Sequence, residues 1–560
     1  MILLLACTSG TVKPADDTAD PPGTDTPRDS DTETIGPAPD SGDSADTDTD
    51  TDSDTDTDTE YSEYGCSELY DPDVVQEFEV DIDPDEWDAL EADYASGAKN
   101  YHPIVFHYGD EVVTDAMIRL KGNPYFSWYD DKMQFVISFN EEDPDGRFHG
   151  QRKIALDASW YEPTLVRDRV AWEIIRQQGD LANACTNAAT LTINGDYYGV
   201  YTNIEYFDHE WLERNFPKAE TGTLWKYGTE AVSNADASDG SALVAMSRTT
   251  DPTKLAALGD LQEWTLAWAA EAVLGDDDGY WCCNHNYYIY EHPDHGIQFI
   301  VWDLDDDFDV QGYDSDPITG YDQQMGLFQQ SHFLALANDP TWGPVYVDQV
   351  EKMNQAMDPD TVIADIDAWE AQIRDLLEAD PHRSVGMEEH DQAIQRMKDW
   401  IPARHAFLQS WVACQRGETT DADGDGSPVC DDPNDQDATV HPGATETCNG
   451  FDDDADGWID DDPSCEDCIR HDFDDRHFLF CRWPRTNEEA QARCAEDGGE
   501  LESYSGYGEY YMYFFYTWPV LEEWWTGGQT GTVCQAWDER SFASTVAPCT
   551  EEHPSVCVIP

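Results

Sequence analysis

The stretch DDDGYWCCNHNYYIYEHPDHGIQFIVWDLDDDFD, residues 276–309, decides how the rest of this chain is read. Two apolar runs, 286–290 and 297–302, flank a turn built from His292, Pro293, Asp294 and Gly296, a pattern that predicts a β-hairpin. An acidic loop ending in Asp278 leads into the hairpin, and Asp303, Asp305, Asp306 and Asp307 follow its second strand. Carboxylates and an amide gathered at strand ends suit a hard, oxygen-binding cation such as Mg2+. Solvated acidic loops are common in so acidic a chain. Bracketing by a rigid hairpin sets this one apart.

Working outward, residues 255–274 are rich in Ala, Leu and Trp and predict a long helix running into that loop, with further helices over 346–357, 359–379 and 388–411. On the N-terminal side, 75–82 and 104–107 predict strands around a short helix at 86–94. Strands at 115–121 and 133–139 are joined by a loop rich in Gly, Pro and aromatic residues. Residues 163–178 have helical apolar spacing, and the Asn194-Gly195 turn between 189–193 and 199–204 is a strong hairpin signal. A β-rich first half and a helical second half, with a hairpin at their junction, predict a two-lobed α+β domain.

Basic residues are scarce: 30 Lys and Arg face 119 Asp and Glu, a net charge of −89. Nucleic acid and anionic lipid are excluded as partners of the surface as a whole. The cations on neighbouring strands therefore stand out. Arg119, Lys121, Lys132 and Lys153 are candidate phosphate ligands, and each has a plainer reading as an edge-strand charge facing water. Glu205, at a strand end, could pair with one of them or simply be exposed there.

The segments DAMIRLKGN (115–123), KMQFVISF (132–139), GQRKIALDAS (150–159), LVRDRV (165–170), LTINGDYYGVYTNIEYF (191–207), LWKY (224–227) and the opening stretch occur in the order found in the CotH (spore coat protein H) family of secreted atypical protein kinases. The chain resembles that family over about residues 66–414. The resemblance implies ATP as cosubstrate with Mg2+ or Mn2+, Asp278 as the catalytic carboxylate, Asn286 as a metal-associated amide, Asp303 as principal metal ligand and Asp305 as a second. It places Lys226 in the connector between lobes, beside the adenine. Phosphoryl transfer needs such cations around the phosphates, a held metal and a carboxylate to orient the acceptor hydroxyl. Asn286 stands eight residues after Asp278, a longer spacing than in ordinary protein kinases, and neither a Gly-rich loop nor Asp-Phe-Gly is present. Asp309 replaces the family's closing Gly, and Cys282-Cys283 interrupts the loop. Two readings follow: a kinase acting on Ser/Thr of exported proteins, or a catalytically silent surface or coat-assembly protein that uses the fold as a binding scaffold.

The flanks divide the chain further. Residues 1–7, MILLLAC, resemble a lipoprotein signal ending at Cys7, which would be lipidated, and 8–64 read as a disordered, self-repelling acidic linker. No run of 18 apolar residues exists, so a lipid anchor is the one membrane link expected, at the bacterial cell envelope. After the kinase-like domain, 65–416, comes an Asp-rich connector, 417–465, similar to the metal-binding repeat of secreted bacterial proteins. Asp421, Asp423, Asp425, Asp432 and Asp435, interspersed with Gly, are the candidate Ca2+ ligands, and Cys430 and Cys448 staple the segment. Nine of the 15 cysteines lie from Cys430 onward, which predicts an oxidising compartment and a disulfide framework.

Residues 466–560 resemble a C-type lectin-like domain through TNEEAQARC (486–494), GGELES (498–503), WWTGG (524–528) and the cysteines after them. That resemblance implies the pairs Cys468–Cys481, Cys494–Cys557 and Cys534–Cys549. Trp525 stands only nine residues before Cys534, too close for the loop that carries a Ca2+–sugar site, and Glu-Pro-Asn is absent. A protein-binding or structural module is expected, with Trp524, Trp525 and Trp537 in its core.

Overall fold

The computed structural model describes residues 65–559, apart from 123, 125–127, 129–131, 160–161, 277, 309–311, 321–330, 448–451, 456–464, 466–467, 474–475, 497, 502–522, 531–532, 539–542 and 551–552. Cys7, the linker, Asp309 and Cys448 lie outside the described residues.

Seven strands form a closed barrel: β1 (Gln76–Ile82), β2 (His102–Tyr108), β3 (Glu111–Leu120), β4 (Phe135–Ser138), β5 (Lys153–Asp157), β6 (Thr186–Ile193) and β7 (Asp196–Glu205). Their order is β1-β2-β3-β4-β5-β7-β6, and the parallel β1–β6 pair closes the ring. Alternate residues fill the interior, among them Phe78, Val80, Ile118, Leu120, Phe135, Ile137, Ile154, Leu156 and Tyr201. Helix α1 (Pro84–Ser96) is capped by the Asp83 side chain and ends at the left-handed Gly97. The β6–β7 turn places Asn194 and Gly195 at φ 53° and 84°, as a tight Asn-Gly hairpin requires. Strand β5 is five residues long and wholly buried, so it shows no polar and apolar alternation in the sequence.

A second sheet, ordered β11-β10-β8-β9, comprises β8 (Thr223–Lys226), β9 (Glu230–Ser233), β10 (Tyr287–His292) and β11 (Gly296–Val301). The expected hairpin is there, paired from Tyr287↔Val301 to His292↔Gly296. Around it pack α2 (Arg167–Gln178), α3 (Leu261–Leu274), α4 (Tyr280–Cys283), α5 (Trp342–Ala356), α6 (Pro359–Glu378) and α7 (Met387–Gln415), sharing a core that includes Trp172, Trp211, Trp264, Trp268 and Trp281. Helix α3 begins at Leu261, capped by Asp260, and not at 255 as expected. Gly259 lies so close to β11 that a Cβ there would meet the Ile297 carbonyl oxygen at 2.2 Å, and the helix cannot run through that contact.

The chain is thus α+β, with several disulfides. Cys66–Cys185 ties the segment before β1 to the start of β6. Cys430 does not staple the connector to itself: it reaches back to Cys414, near the end of α7. The C-terminal sheet contains β12 (Cys468–Phe473), β13 (Arg476–Arg485), β14 (Glu500–Leu501), β15 (Glu523–Thr530), β16 (Val533–Asp538), β17 (Ala543–Pro548) and β18 (His553–Ile559), with α8 (Asn487–Glu496) against it. Disulfides there join Cys468–Cys481, Cys494–Cys557 and Cys534–Cys549. Trp525 is fully buried in that core and its indole N–H donates to the Arg485 carbonyl at 2.7 Å.

Barrel and helices are joined by Asp380, just past α6. Its carboxylate accepts from Lys132 Nζ at 2.7 Å and from the Val200 N–H at 2.9 Å, with both charged side chains almost wholly buried. Gly199 permits this approach, since a Cβ there would lie 2.4 Å from Asp380 Oδ2. Asp380→Ala would leave the Lys132 ammonium buried without its counter-charge, and a loss of about 3–5 kcal/mol is expected in urea unfolding of the full chain. A loss below about 1 kcal/mol, within the range of an exposed pair, would refute the tie.

Candidate active site

The side chains of β3 alternate about Leu120, which points into the barrel, so Arg119 and Lys121 face outward. On β5 the same alternation puts Lys153 and Asp157 on the outside, with Ile154 and Leu156 inside. Lys121 Nζ bonds the Asp157 carboxylate and lies 6.0 Å from the centre of the Trp302 ring. Burial alone would pull the pKa of this ammonium down, yet Asp157, Asp303 and Asp168 outweigh it and hold the group above its ordinary range.

Four elements converge around Asp303 and its neighbour Lys121. From β11 the chain enters Asp303, which is left-handed at φ 65°, then a 3-10 turn over Leu304–Asp306. From the first turn of α2 comes Asp168. From β8 comes Lys226, whose charge acts on Asp303 and His285. From the end of α3 comes the Asp278 loop. Asp278 Oδ2 accepts from Asn286 Nδ2 at 3.1 Å and lies 2.8 Å from His285 Nδ1, so the eight-residue interval closes into direct contact. Asn286 takes φ 44° to turn its amide inward, and His285 stacks on Tyr227 with ring centres 5.3 Å apart. Burial works to lower the pKa of His285, but Asp278 and Asp303 raise it on balance.

The site is crowded with carboxylates. Burial, reinforced by neighbouring carboxylates, raises Asp168 through Asp157 and Asp303, and Asp305 through Asp303 and Asp168. Burial and the negative charges of Asp157 raise Asp303 against the pull of Lys121, Lys226 and His285. Asp305 is 5% exposed and Asp307 0%. Asp305 Oδ1, both oxygens of Asp307 and Asp278 Oδ1 are buried without a hydrogen-bond partner. Arg167, fully buried, approaches the Asp305 carbonyl at 3.5 Å and Glu162 at 3.4 Å. Such orphaned oxygens fit a divalent, oxygen-preferring cation. Among the described residues, Asp278, Asp303 and Asp305 do not form a closed three-ligand group, whereas groups with oxygens within 4.8 Å of one another do occur elsewhere. An open set of this kind is how Mg2+ sits when substrate phosphates complete its shell.

Not every candidate is drawn in. Lys132 is held by Asp380. Glu205 pairs with Arg214, at 2.5 Å, and accepts from the Cys185 N–H. Its Cα lies opposite Ile154, so its side chain is on the barrel-interior side of the sheet, away from Lys121 and Lys153. Arg119 and Lys153 share the outer face with Lys121 but are lodged among Tyr101, Tyr206 and Glu141. Asp157, Asp168, Arg167 and His285 were not singled out in the sequence. For Asp157 a signal existed, since in Lys-Ile-Ala-Leu-Asp it shares a strand face with Lys153.

In the connector, Asp421, Asp423 and Asp435 form one group with oxygens within 4.8 Å of each other, and Asp423, Asp425 and Asp432 form another. The Oδ2 atoms of Asp423, Asp425 and Asp432 are buried and unpartnered. Burial, then Asp425, Asp423 and Asp435, push the Asp432 carboxyl up to about 6.

The Asp278 loop is braced from below by Glu271 of α3, which accepts from the Trp281 N–H at 2.7 Å. Burial pushes its carboxyl up to about 8 despite the backbone donors. A folded-state pKa above the unfolded value stabilises the fold below about pH 4.5, and that stability drains away as pH rises toward 8. Glu271→Gln keeps an acceptor and removes the titration. The variant is expected to lose less stability than the parent between pH 5 and 8, by on the order of a few kcal/mol, in urea unfolding at the two pH values. Parallel curves would refute the assignment.

A family model described as CotH kinase protein matches residues 118–408, just over half of the chain. No curated protein matches it.

Proposed function

The chain belongs to the CotH kinase family, and on that premise we propose that it is an atypical protein kinase transferring the γ-phosphate of ATP to Ser/Thr of exported proteins. The observation that carries this reading is the excess of buried, partly unpartnered carboxylates gathered around Lys121 and Asp303 from β5, the first turn of α2 and the turn after β11. Phosphoryl transfer asks for that combination of held cation, phosphate-binding ammonium groups and an orienting carboxylate.

In this reading Asn286, Asp303 and Asp305 hold Mg2+ (or Mn2+), which when bound neutralises charge developing on the phosphates. Lys121 meets the phosphates, with Arg119 and Lys153 behind it on the same barrel face, and Lys226 borders the base. Asp278, held by Asn286 and His285, orients the acceptor hydroxyl and takes its proton. Lys132 and Glu205 have no part in it, since each is committed to a buried ion pair. The barrel and the helical body serve as the two lobes of a kinase-like fold. Among the described residues no helix is long and apolar enough to cross a membrane. In this reading a lipid on Cys7 anchors the exported protein. The connector takes Ca2+ through Asp421, Asp423, Asp425, Asp432 and Asp435, and the C-terminal domain is a lectin-like module without a sugar site.

Transfer of radiolabelled phosphate by the full chain is expected to fall about 10²–10⁴-fold in Asp278→Asn. Equal incorporation in parent and variant would favour the catalytically silent scaffold instead. Asp303→Ala is expected to abolish Mg2+-dependent ATP binding in calorimetry while leaving the circular dichroism unchanged, and retained binding would remove Asp303 from the metal site.

A further inference from the structure

The connector does not hang free of the catalytic body. Asp435 donates its N–H to Ser410 Oγ of α7 at 3.2 Å, Gln436 bonds Gln409, and Cys430 is joined to Cys414 one turn further along the helix. The Asp435 carboxylate reaches the other way and accepts from the Ala422 N–H at 2.7 Å. Asp435 therefore joins the docking contact to the acidic loop. In that loop Asp432 is only 4% exposed, and its Oδ2 is buried and unpartnered among Asp423 and Asp425. Its Oδ1 is used by the Asn434 N–H at 2.8 Å, and Asn434 Oδ1 is itself buried without a partner. Four negative charges, paired with no cation among the described residues, repel one another, and that repulsion opposes the docked shape.

The helix that receives the connector also holds the catalytic loop. Arg404 of α7 is fully buried and donates to the carbonyls of Ala272 and Val273 at the end of α3, and to those of Tyr313 and Ser315. Two turns on, Trp411 donates to Asp316 at 2.9 Å. Residues 404–416 thus face the root of the Asp278 loop on one side and the acidic loop on the other.

We infer that a divalent cation bound by Asp423, Asp425, Asp432 and Asp435, with Asn434 as a further oxygen donor, locks the connector onto the end of α7 and so steadies the catalytic loop through Arg404. The connector is then a regulatory clamp on the site it follows in the chain. The inference rests on the proposed Ca2+ reading of the connector and extends it to a coupling between two sites. Linkage gives its size: a ligand present at a hundred times its dissociation constant suppresses opening of the state it prefers about 100-fold.

The test is hydrogen exchange of the full chain with calcium chloride against chelator, without ATP or Mg2+, alongside calorimetric titration of calcium. Amides of 404–416 and 272–281 are expected to slow by up to about 100-fold with saturating calcium. In Asp432→Asn, which keeps the acceptor for the Asn434 N–H, calcium affinity is expected to fall and the protection to be lost, while exchange in the barrel strands stays at the parent's rate. Calcium binding with unchanged exchange in both segments would overturn the clamp and leave the Ca2+ reading standing. Absence of calcium binding would overturn both. Neither outcome bears on phosphate transfer, which the assay does not use.

Discussion

The guanidinium of Arg404 is the constraint on which the helical body depends. It is fully buried, and burial lowers its pKa to about 10 even though Asp314, Tyr346 and Asp316 act to raise it. The last carbonyls of a helix have no partner within it, and here a side chain from a helix more than a hundred residues later supplies them. Gly275 then turns left-handed at φ 77°, close under Trp400, where a Cβ would sit 2.8 Å from the ring. The chain can leave α3 in only one direction, which leads through Asp276 to Asp278. The carboxylate proposed to orient substrate is aimed by packing from the opposite end of the domain.

The second constraint is charge. At −89 the chain repels itself throughout, yet it buries Asp168, Asp305 and Asp307 in one place. Desolvation and mutual repulsion both raise their pKa values. Lys121, Arg167 and Lys226 offset part of the charge. A fold that keeps so many carboxylates together is held short of electrostatic balance at that place. Elsewhere the same chain balances its buried charges singly, as in Lys132–Asp380 and Arg214–Glu205. The contrast separates site from scaffold.

Much of this was legible in the order of residues. The hairpin at 287–301, the Asn-Gly turn and the long helices after 342 depend on local periodicity and turn chemistry, which a sequence carries directly. Strand β5 and the start of α3 did not yield to it. In the first, burial on both faces erases alternation, and in the second, a backbone contact between Gly259 and Ile297 ends a pattern that is locally helical. The assignment of cations failed for a related reason. Lys121 and Lys132 look alike as strand-end lysines, and Glu205 looks available to either. Which face of a closed barrel each occupies depends on a register set by strands far apart in the chain.

By itself the sequence determined the α+β class, the family and the hairpin, because these follow from local periodicity, turn chemistry and motifs in a fixed order. It also placed the five connector aspartates in one short segment. The tertiary structure alone decided that Lys121 belongs with Asp157 and Asp303 while Lys132 belongs with Asp380, that Cys430 turns back to Cys414, and that Arg404 supports the end of α3 from which the Asp278 loop leaves. These are pairings between elements many residues apart. Their energies depend on burial and on which oxygen is left without a partner, and neither quantity exists until the chain has closed on itself.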